Sequence, residues 1–129
     1  MSTFHVSLQI GSPATRQFEE VDALVDTGST YSAAPRDLLD RLGIRPVGRE
    51  RFRIATGAVT ENGVGEALMR LEGKERTALV IFNEAGEPVL LGAVTLESFL
   101  LGVDPVAQRL VPVEGLRMRR LGVSPTWVT

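Results

Sequence analysis

The chain has 129 residues, of which 43% are hydrophobic and 23% charged, and its 14 Lys and Arg against 16 Asp and Glu leave a net charge of -2. This length predicts a single compact domain over residues 1–129, and the charge balance gives no electrostatic footprint for nucleic acid. Because the chain contains no cysteine, disulfides, thiolate nucleophiles and Cys-ligated metal sites are excluded.

The first predicted element is a strand near the N-terminus. Phe4, Val6, Leu8 and Ile10 alternate with polar residues, which is typical of a half-buried strand and unlike the continuous apolar run of a secretory signal. No stretch approaches the ~18 apolar residues of a membrane span. We therefore expect a cytoplasmic protein that makes no membrane contact.

Two further elements flank a polar loop. A strand over residues 18–25 leads into the sequence Asp-Thr-Gly-Ser-Thr at residues 26–30. Residues 35–42 predict a short helix, because proline suits its first position and Gly43 can adopt the left-handed conformation that ends a helix.

The middle of the chain predicts a meander of β-hairpins. Residues 50–82 alternate in hydropathy, and turn signals stand at residues 56–58, 62–63 and 72–74. Short strands therefore dominate this part of the chain.

Shorter elements complete the predicted core. The apolar run at residues 89–91 ends at Gly92, and a short helical pattern follows at residues 94–100, with Glu97 and Ser98 facing outward. A turn at residues 103–105 and a final strand at residues 109–113 follow. The predicted class is all-β with one or two short helices.

Asp26 requires an explanation, because it directly follows an apolar strand where an unpaired carboxylate is costly to bury. Its simplest role is that of an Asx-type turn, in which Asp and Gly are favoured for backbone reasons alone. The alternative is that the carboxylate performs chemistry.

The sequence around Asp26 resembles a known active site. Residues 24–30, Leu-Val-Asp-Thr-Gly-Ser-Thr, resemble the active-site loop of the aspartic proteases. Leu90, Leu91 and Gly92 resemble the hydrophobic-hydrophobic-Gly element that packs behind that loop. The spacing is similar to that of the prokaryotic single-domain group of retropepsin-like proteases, and the resemblance continues through residues 35–44, 55–57, 91–97, 103–106 and 109–112. It implies a closed retropepsin-like β-barrel that is homodimeric.

The resemblance also implies a mechanism. Peptide hydrolysis without a metal or a covalent intermediate needs one carboxylate to take a proton from water and another to donate a proton, which two close Asp groups can do, and no cofactor is implied. The chain carries a single Asp-Thr-Gly, so a homodimer would bring together the Asp26 side chains of two copies. Thr27 would hydrogen-bond to the partner loop, Gly28 would permit close approach, and Ser29 would donate its hydroxyl to Asp26.

Substrate contacts are expected from the same loop and from a hairpin. Residues 52–62 would form the flap that closes over a peptide bound in an extended conformation. The predicted substrate-binding residues are Ser29, Ala55, Thr56, Gly57 and Ala58.

Two other interpretations stay open. The chain could be a catalytically inactive domain of the same fold that serves dimerisation or peptide binding, or a β-domain with an incidental Asp-Thr-Gly turn. A strict monomer would favour the last of these, because it cannot present two copies of Asp26.

Other charged residues carry less information. His5 is the only histidine, so a Ser-His-Asp triad or a His-rich metal site has little to build on, and a solvated position on the first strand is expected. The arginines at 49, 51, 53, 117, 119 and 120 are expected on solvated surfaces. Residues 115–129 would form a tail or part of a dimer interface.

Overall fold

The computed structural model describes residues 3–115, and within this range the chain forms nine strands and two short helices. The strands are β1 Phe4–Gly11, β2 Phe18–Val25, β3 Ser32–Pro35, β4 Gly48–Arg53, β5 Val59–Leu71, β6 Lys74–Asn83, β7 Val89–Leu91, β8 Leu101–Asp104 and β9 Arg109–Pro112. The helices are α1 Arg36–Arg41 and α2 Ala93–Ser98.

Six of the strands close into a barrel. The order is β1-β2-β7-β3-β6-β5, and pairing of β1 with β5 joins the two ends. Strand β4 lies outside this ring and pairs with β5 as a hairpin. The predicted all-β class and closed barrel are confirmed.

The barrel interior is filled by the apolar residues that the alternation predicted. On β1, Phe4, Leu8 and Ile10 are buried whereas His5 is exposed, because successive side chains of a strand point to opposite faces. Full burial of a large aliphatic or aromatic side chain contributes about 1.5–3 kcal/mol. The largest fully buried apolar side chains are Phe99, Leu8, Ile10, Leu39, Met69, Leu91, Val25 and Val80.

The predicted helix at residues 35–42 is confirmed as α1. Pro35 is not its first residue as predicted, because this proline is extended and ends β3; Leu38 and Leu39 turn towards the core. Gly43 follows the helix with a φ of 77°, the left-handed conformation expected of a terminating glycine.

One predicted turn is wrong. Asn62 and Gly63 lie inside β5, where Asn-Gly would ordinarily indicate a hairpin turn. The Asn62 amide donates a hydrogen bond of 3.1 Å to the Phe82 carbonyl. A Cβ on Gly63 would lie 3.3 Å from Cγ of Pro46, so the glycine allows close packing within the strand.

The end of the chain also differs from prediction. The predicted final strand is present as β9, but it pairs with β8 in a separate two-stranded sheet. The predicted turn at residues 103–105 begins after Asp104, because that residue ends β8 and its carboxylate accepts hydrogen bonds from the backbone N–H groups of Val106 and Ala107. In α2 and the two residues after it, Leu96 and Phe99 reach the core, whereas Val94 and Leu100 are exposed.

An ionic cluster ties β1 and β2 to the hairpin of β5 and β6. Arg16 forms two hydrogen bonds of 3.1 Å with the Glu75 carboxylate, and Arg70 Nε donates a third at 2.9 Å. The Arg70 guanidinium also lies 3.7 Å from the centre of the Phe18 ring, within range of a cation–π interaction. The hydrogen bonds from Arg16 and then Arg70 hold the pKa of the Glu75 carboxyl below its usual value.

This cluster predicts how acid affects stability. Because the Glu75 pKa is lower in the folded chain, its contribution to stability is present above the unfolded-state pKa and is lost as the pH falls through the folded-state pKa. Glu75→Gln should lower the free energy of unfolding near neutral pH and make it fall less steeply below about pH 4.5. Urea unfolding at several pH values measures this.

Glu66→Gln is the matched control for Glu75→Gln. Glu66 is an exposed carboxyl of the same sheet and has no ion pair among residues 3–115. Equal pH dependence of the two variants would contradict the assignment to the Arg16–Glu75–Arg70 cluster.

Candidate active site

Asp26 lies at the end of β2, where the chain leaves the barrel. Its backbone N–H donates to the Leu91 carbonyl at 3.0 Å, and its own carbonyl accepts the Ser29 N–H at 3.1 Å. The Gly28 N–H donates to Oδ1 of the Asp26 carboxylate at 3.0 Å. The Asx-type turn that the sequence suggested is therefore present, and it fixes the direction of the carboxylate.

Strand β7 and helix α2 pack against the Asp26 loop and hold it through backbone hydrogen bonds. The Ala93 N–H donates to the Ser29 carbonyl at 2.8 Å, and the Val94 N–H donates to the Thr30 carbonyl at 3.0 Å. A Cβ on Gly92 would lie 2.5 Å from both the carbonyl carbon and the oxygen of Tyr31. Gly92 therefore allows two backbone segments to touch at a distance that no other residue permits.

A buried polar pair supports the same contact, and the sequence analysis missed it. The Ser32 and Thr95 hydroxyls lie 2.6 Å apart, and Ser32 Oγ accepts the Gly92 N–H at 3.0 Å. Both side chains are buried, so their mutual hydrogen bond offsets the cost of burying them. In the sequence, this pair could have been suspected because Ser32 and Thr95 each place a hydroxyl group next to apolar residues.

An open cleft of about 880 Å³ lies between the Asp26 loop and the hairpin of β4 and β5. Among the predicted site residues, Asp26, Gly28, Ser29, Ala55 and Leu90 line this cleft. Thr27 is exposed beside it. The other predicted substrate contacts, Thr56, Gly57 and Ala58, are exposed at the tip of the hairpin and do not line the cleft.

The Ser29 hydroxyl does not make the predicted hydrogen bond to Asp26. It donates instead to the Tyr31 carbonyl at 2.9 Å, while the carboxylate oxygen Oδ1 accepts the Gly28 N–H. The hydrogen bond to the Asp26 carboxylate therefore comes from the loop backbone. Ser29 instead stabilises the turn that leads into β3.

The predicted flap region is a hairpin with an ordered tip. The Ile54 N–H donates to the Ala58 carbonyl and the Gly57 N–H to the Ile54 carbonyl, both at 2.9 Å. Gly57 has a φ of 90°, which favours glycine at this turn. Arg53 Nη1 donates to the Gly57 carbonyl at 2.8 Å, so the turn is fixed by its own strand.

Comparison with known proteins assigns the family. A model of the aspartyl protease family matches residues 7–95, a segment that contains both the Asp26 loop and Gly92. The chain belongs to the aspartyl protease family. No curated protein sequence matches the chain.

Solved structures of retropepsin-like proteases share the fold. The retroviral protease-like domain of Ddi1 from Leishmania major aligns with a TM-score of 0.59 and 20% identity over 87% of this chain and 89% of that one. The protease of EIAV, in complex with the inhibitor HBY-793, gives a TM-score of 0.52 and 16% identity over 76% and 88%. A retropepsin-like aspartic protease from Rickettsia conorii gives 0.50 and 16% over 80% and 88%.

Several cleft residues of this aspartyl protease chain were missed in the sequence. Tyr31 comes from the Asp26 loop, Phe52 and Thr60 from the predicted flap hairpin, Asn83 from the end of β6 and Glu87 from the connection that follows β6. Short-range patterns do not place them together, because the pairing of β3 with β6 and of β6 with β5 brings the hairpin of β4 and β5 towards the Asp26 loop only in the folded barrel.

Among the described residues, one ion pair joins the two strands of the hairpin. Arg49 Nε donates to the Glu61 carboxylate at 2.8 Å, and this hydrogen bond holds the pKa of Glu61 below its usual value.

His5 is exposed, as expected of a solvated strand residue, and its Nδ1 lies 3.0 Å from Oδ2 of Asp22. Within residues 3–115, no helix is long and apolar enough to cross a membrane, and no group of three His, Asp or Glu side chains could hold a metal ion.

The Gly92 contact predicts a large effect of a small substitution. Gly92→Ala would place a methyl group against the Tyr31 carbonyl, and because the obstacle is backbone, the free energy of unfolding should fall by about 1–3 kcal/mol or more. Urea unfolding followed by circular dichroism measures this change.

Gly48→Ala is the control for Gly92→Ala. Gly48 lies in β4, and an added Cβ would meet nothing closer than Val64 Cγ2 at 4.0 Å, so the effect should stay within about 1 kcal/mol. Equal stability losses in the two variants would contradict the role assigned to Gly92.

Proposed function

We propose that the chain is an aspartic endopeptidase that hydrolyses peptide bonds with a water activated by two Asp26 carboxylates, one from each copy of a homodimer. The supporting observation is the position of Asp26. Its carboxylate is directed by the Gly28 N–H and faces a cleft that the hairpin overhangs, with room for a peptide. Membership of the aspartyl protease family supports the reaction class.

In the proposed reaction, one Asp26 acts as the general base and the Asp26 of the second copy acts as the general acid. One Asp26 carboxylate, ionised, accepts a proton from the water as its oxygen attacks the peptide carbonyl. The other, protonated, donates its proton to the carbonyl oxygen. Two facing carboxylates that share one proton supply both states at once, and no cofactor is required.

The second carboxylate must come from a second copy, because the other described aspartates lie outside any similar loop. Asp22 is in β2, Asp37 and Asp40 are in α1, and Asp104 ends β8. Thr27, Gly28 and Thr30 are exposed beside Asp26, and the neighbouring Val94 is an apolar residue with 45% of its surface exposed. We propose that this face meets its own copy, with Thr27 bonding across the two-fold axis.

Substrate binding is proposed to use the cleft and the hairpin. Among the described strands, β4 pairs with β5 alone, and its other edge is proposed to bond an extended peptide. Ser29 and Ala55 line the cleft, and Thr56, Gly57 and Ala58 would contact substrate only after the hairpin tip moves inwards. Residues 1–129 are proposed to act as a single domain in this reaction.

The direct test is cleavage of a diverse peptide mixture, analysed by mass spectrometry from about pH 3 to pH 8. General acid–base catalysis contributes about 10²–10⁴-fold, so Asp26→Asn should lower the rate of cleavage by at least about 100-fold. The matched control is Asp22→Asn, which changes an exposed carboxylate on the same strand and should cut like the unmodified chain.

Two results would reject the proposal. Equal cleavage by Asp26→Asn and the unmodified chain would exclude Asp26 as the catalytic group. If neither protein cuts any peptide while both are folded dimers, the chain is an inactive peptide-binding or dimerisation domain of the same fold.

The dimer is tested separately at Val94. Val94→Arg should weaken self-association by at least about tenfold, since it would bury two like charges near the two-fold axis without a partner. Sedimentation velocity over a concentration series measures this, together with cleavage activity in the same samples.

Val47→Arg is the control for Val94→Arg, because Val47 is an exposed valine before β4, with 67% of its surface accessible. It should leave the dimer unchanged. The proposed interface would be contradicted if the unmodified chain is a monomer at all concentrations. It would also be contradicted if Val94→Arg and Val47→Arg change self-association equally.

A further inference from the structure

We infer that Tyr31 and Phe52 form an aromatic catch that positions the hairpin of β4 and β5 over the Asp26 side of the cleft. The Tyr31 and Phe52 ring centres are 6.1 Å apart, and their planes are inclined at 70°, an edge-to-face arrangement. Both side chains line the cleft that contains Asp26. The inference extends the proposed function, since it assigns how the hairpin is held above the peptide site.

The Tyr31 half of the catch is fixed to the barrel. Its carbonyl accepts the Ser29 hydroxyl at 2.9 Å and abuts Gly92, while the next residue, Ser32, is fully buried and bonded to the Gly92 N–H. The backbone of Tyr31 is thus held on both sides. Its ring, by contrast, is directed outwards, and 37% of the residue surface is exposed.

The Phe52 half belongs to an element with few other attachments. Strand β4 pairs with β5 alone among the described strands, and residues 54–58 at the tip are all exposed. At the base of the hairpin, the Thr60 hydroxyl donates to the Asn62 side chain, whose amide donates to the Phe82 carbonyl on β6. Phe52 pairs with Thr60, two positions nearer the tip than Asn62, which bonds the hairpin to β6.

The geometry therefore divides the hairpin into an anchored base and a tip whose position depends on the catch. An aromatic pair of this kind shifts an equilibrium by about two- to tenfold, which suits a contact that must release when a peptide enters. Tyr31 and Phe52 act as positioning residues, because they set the place of the hairpin and do not touch the reacting atoms.

Trypsin provides a test that is independent of the chain's own activity. Arg53 pairs with Val59 next to the tip, and a protease binds the residues around the cleaved bond as an unpaired, extended segment, so the rate of cleavage at the Arg53–Ile54 bond reports the population in which the hairpin has opened. Tyr31→Ala should raise this rate by about two- to tenfold, whereas Tyr31→Phe, which keeps the ring, should restore the original rate.

A double-mutant cycle isolates the ring contact. Phe52→Ala should also raise cleavage at Arg53, and the double variant should exceed the larger single effect by less than twofold, because either substitution alone removes the contact. Val59→Ala is the matched control, since Val59 is an exposed apolar residue of the same hairpin, one position from the Phe52–Thr60 pair. It should leave the rate unchanged.

Cleavage after Arg70 in the same digests serves as the reference for global unfolding, since Arg70 lies within the barrel strand β5. Three results would each overturn the inference. The rate of cleavage after Arg53 is unchanged in Tyr31→Ala, it rises no more than the rate of cleavage after Arg70, or the effects of the Tyr31 and Phe52 substitutions are independent. Parallel samples without trypsin remove any self-cleavage. The result holds whether or not the chain cleaves peptides, so failure of the proposed function would be seen separately.

Discussion

The contact between the backbones of Gly92 and Tyr31 is the constraint on which the site depends. A side chain at residue 92 would collide with the Tyr31 carbonyl. Because residue 92 is glycine, the loop and strand β7 approach closely enough for three backbone hydrogen bonds, which are donated by the N–H groups of Asp26, Ala93 and Val94. These bonds join the end of β2 to the start of α2. The barrel therefore holds in place the loop whose Gly28 N–H directs the Asp26 carboxylate.

The cleft combines a fixed side with a weakly attached one. The Asp26 loop is held by backbone hydrogen bonds and by the buried Ser32–Thr95 pair, whereas the hairpin opposite is anchored at Asn62 and ends in an exposed tip. A peptidase requires this division, since catalytic groups need constant geometry while a polypeptide substrate must enter and leave. The single aromatic contact between Tyr31 and Phe52 connects the two sides.

The sequence predicted the elements whose signals are local. The alternation of β1 and the proline and glycine that bound α1 follow from residue type and spacing, whereas the link between the Asp-Thr-Gly loop and the distant Gly92 came from the resemblance to aspartic proteases. Prediction from sequence failed where long-range pairing overrides local preference. Strand β3, only four residues of Ser, Ala and Pro, exists because β6 and β7 flank it, and Asn62-Gly63 remains extended because Pro46 and Phe82 pack against it.

The central claim is that one active site draws an Asp26 from each of two copies. The most direct measurement mixes the unmodified chain with increasing amounts of Asp26→Asn, allows subunits to exchange, and follows peptide cleavage per unmodified chain. If each site uses an Asp26 from both copies, this specific activity falls in proportion to the unmodified fraction, because every mixed dimer lacks one carboxylate. Specific activity that is independent of the added variant would contradict the claim, because each chain would then carry a complete site.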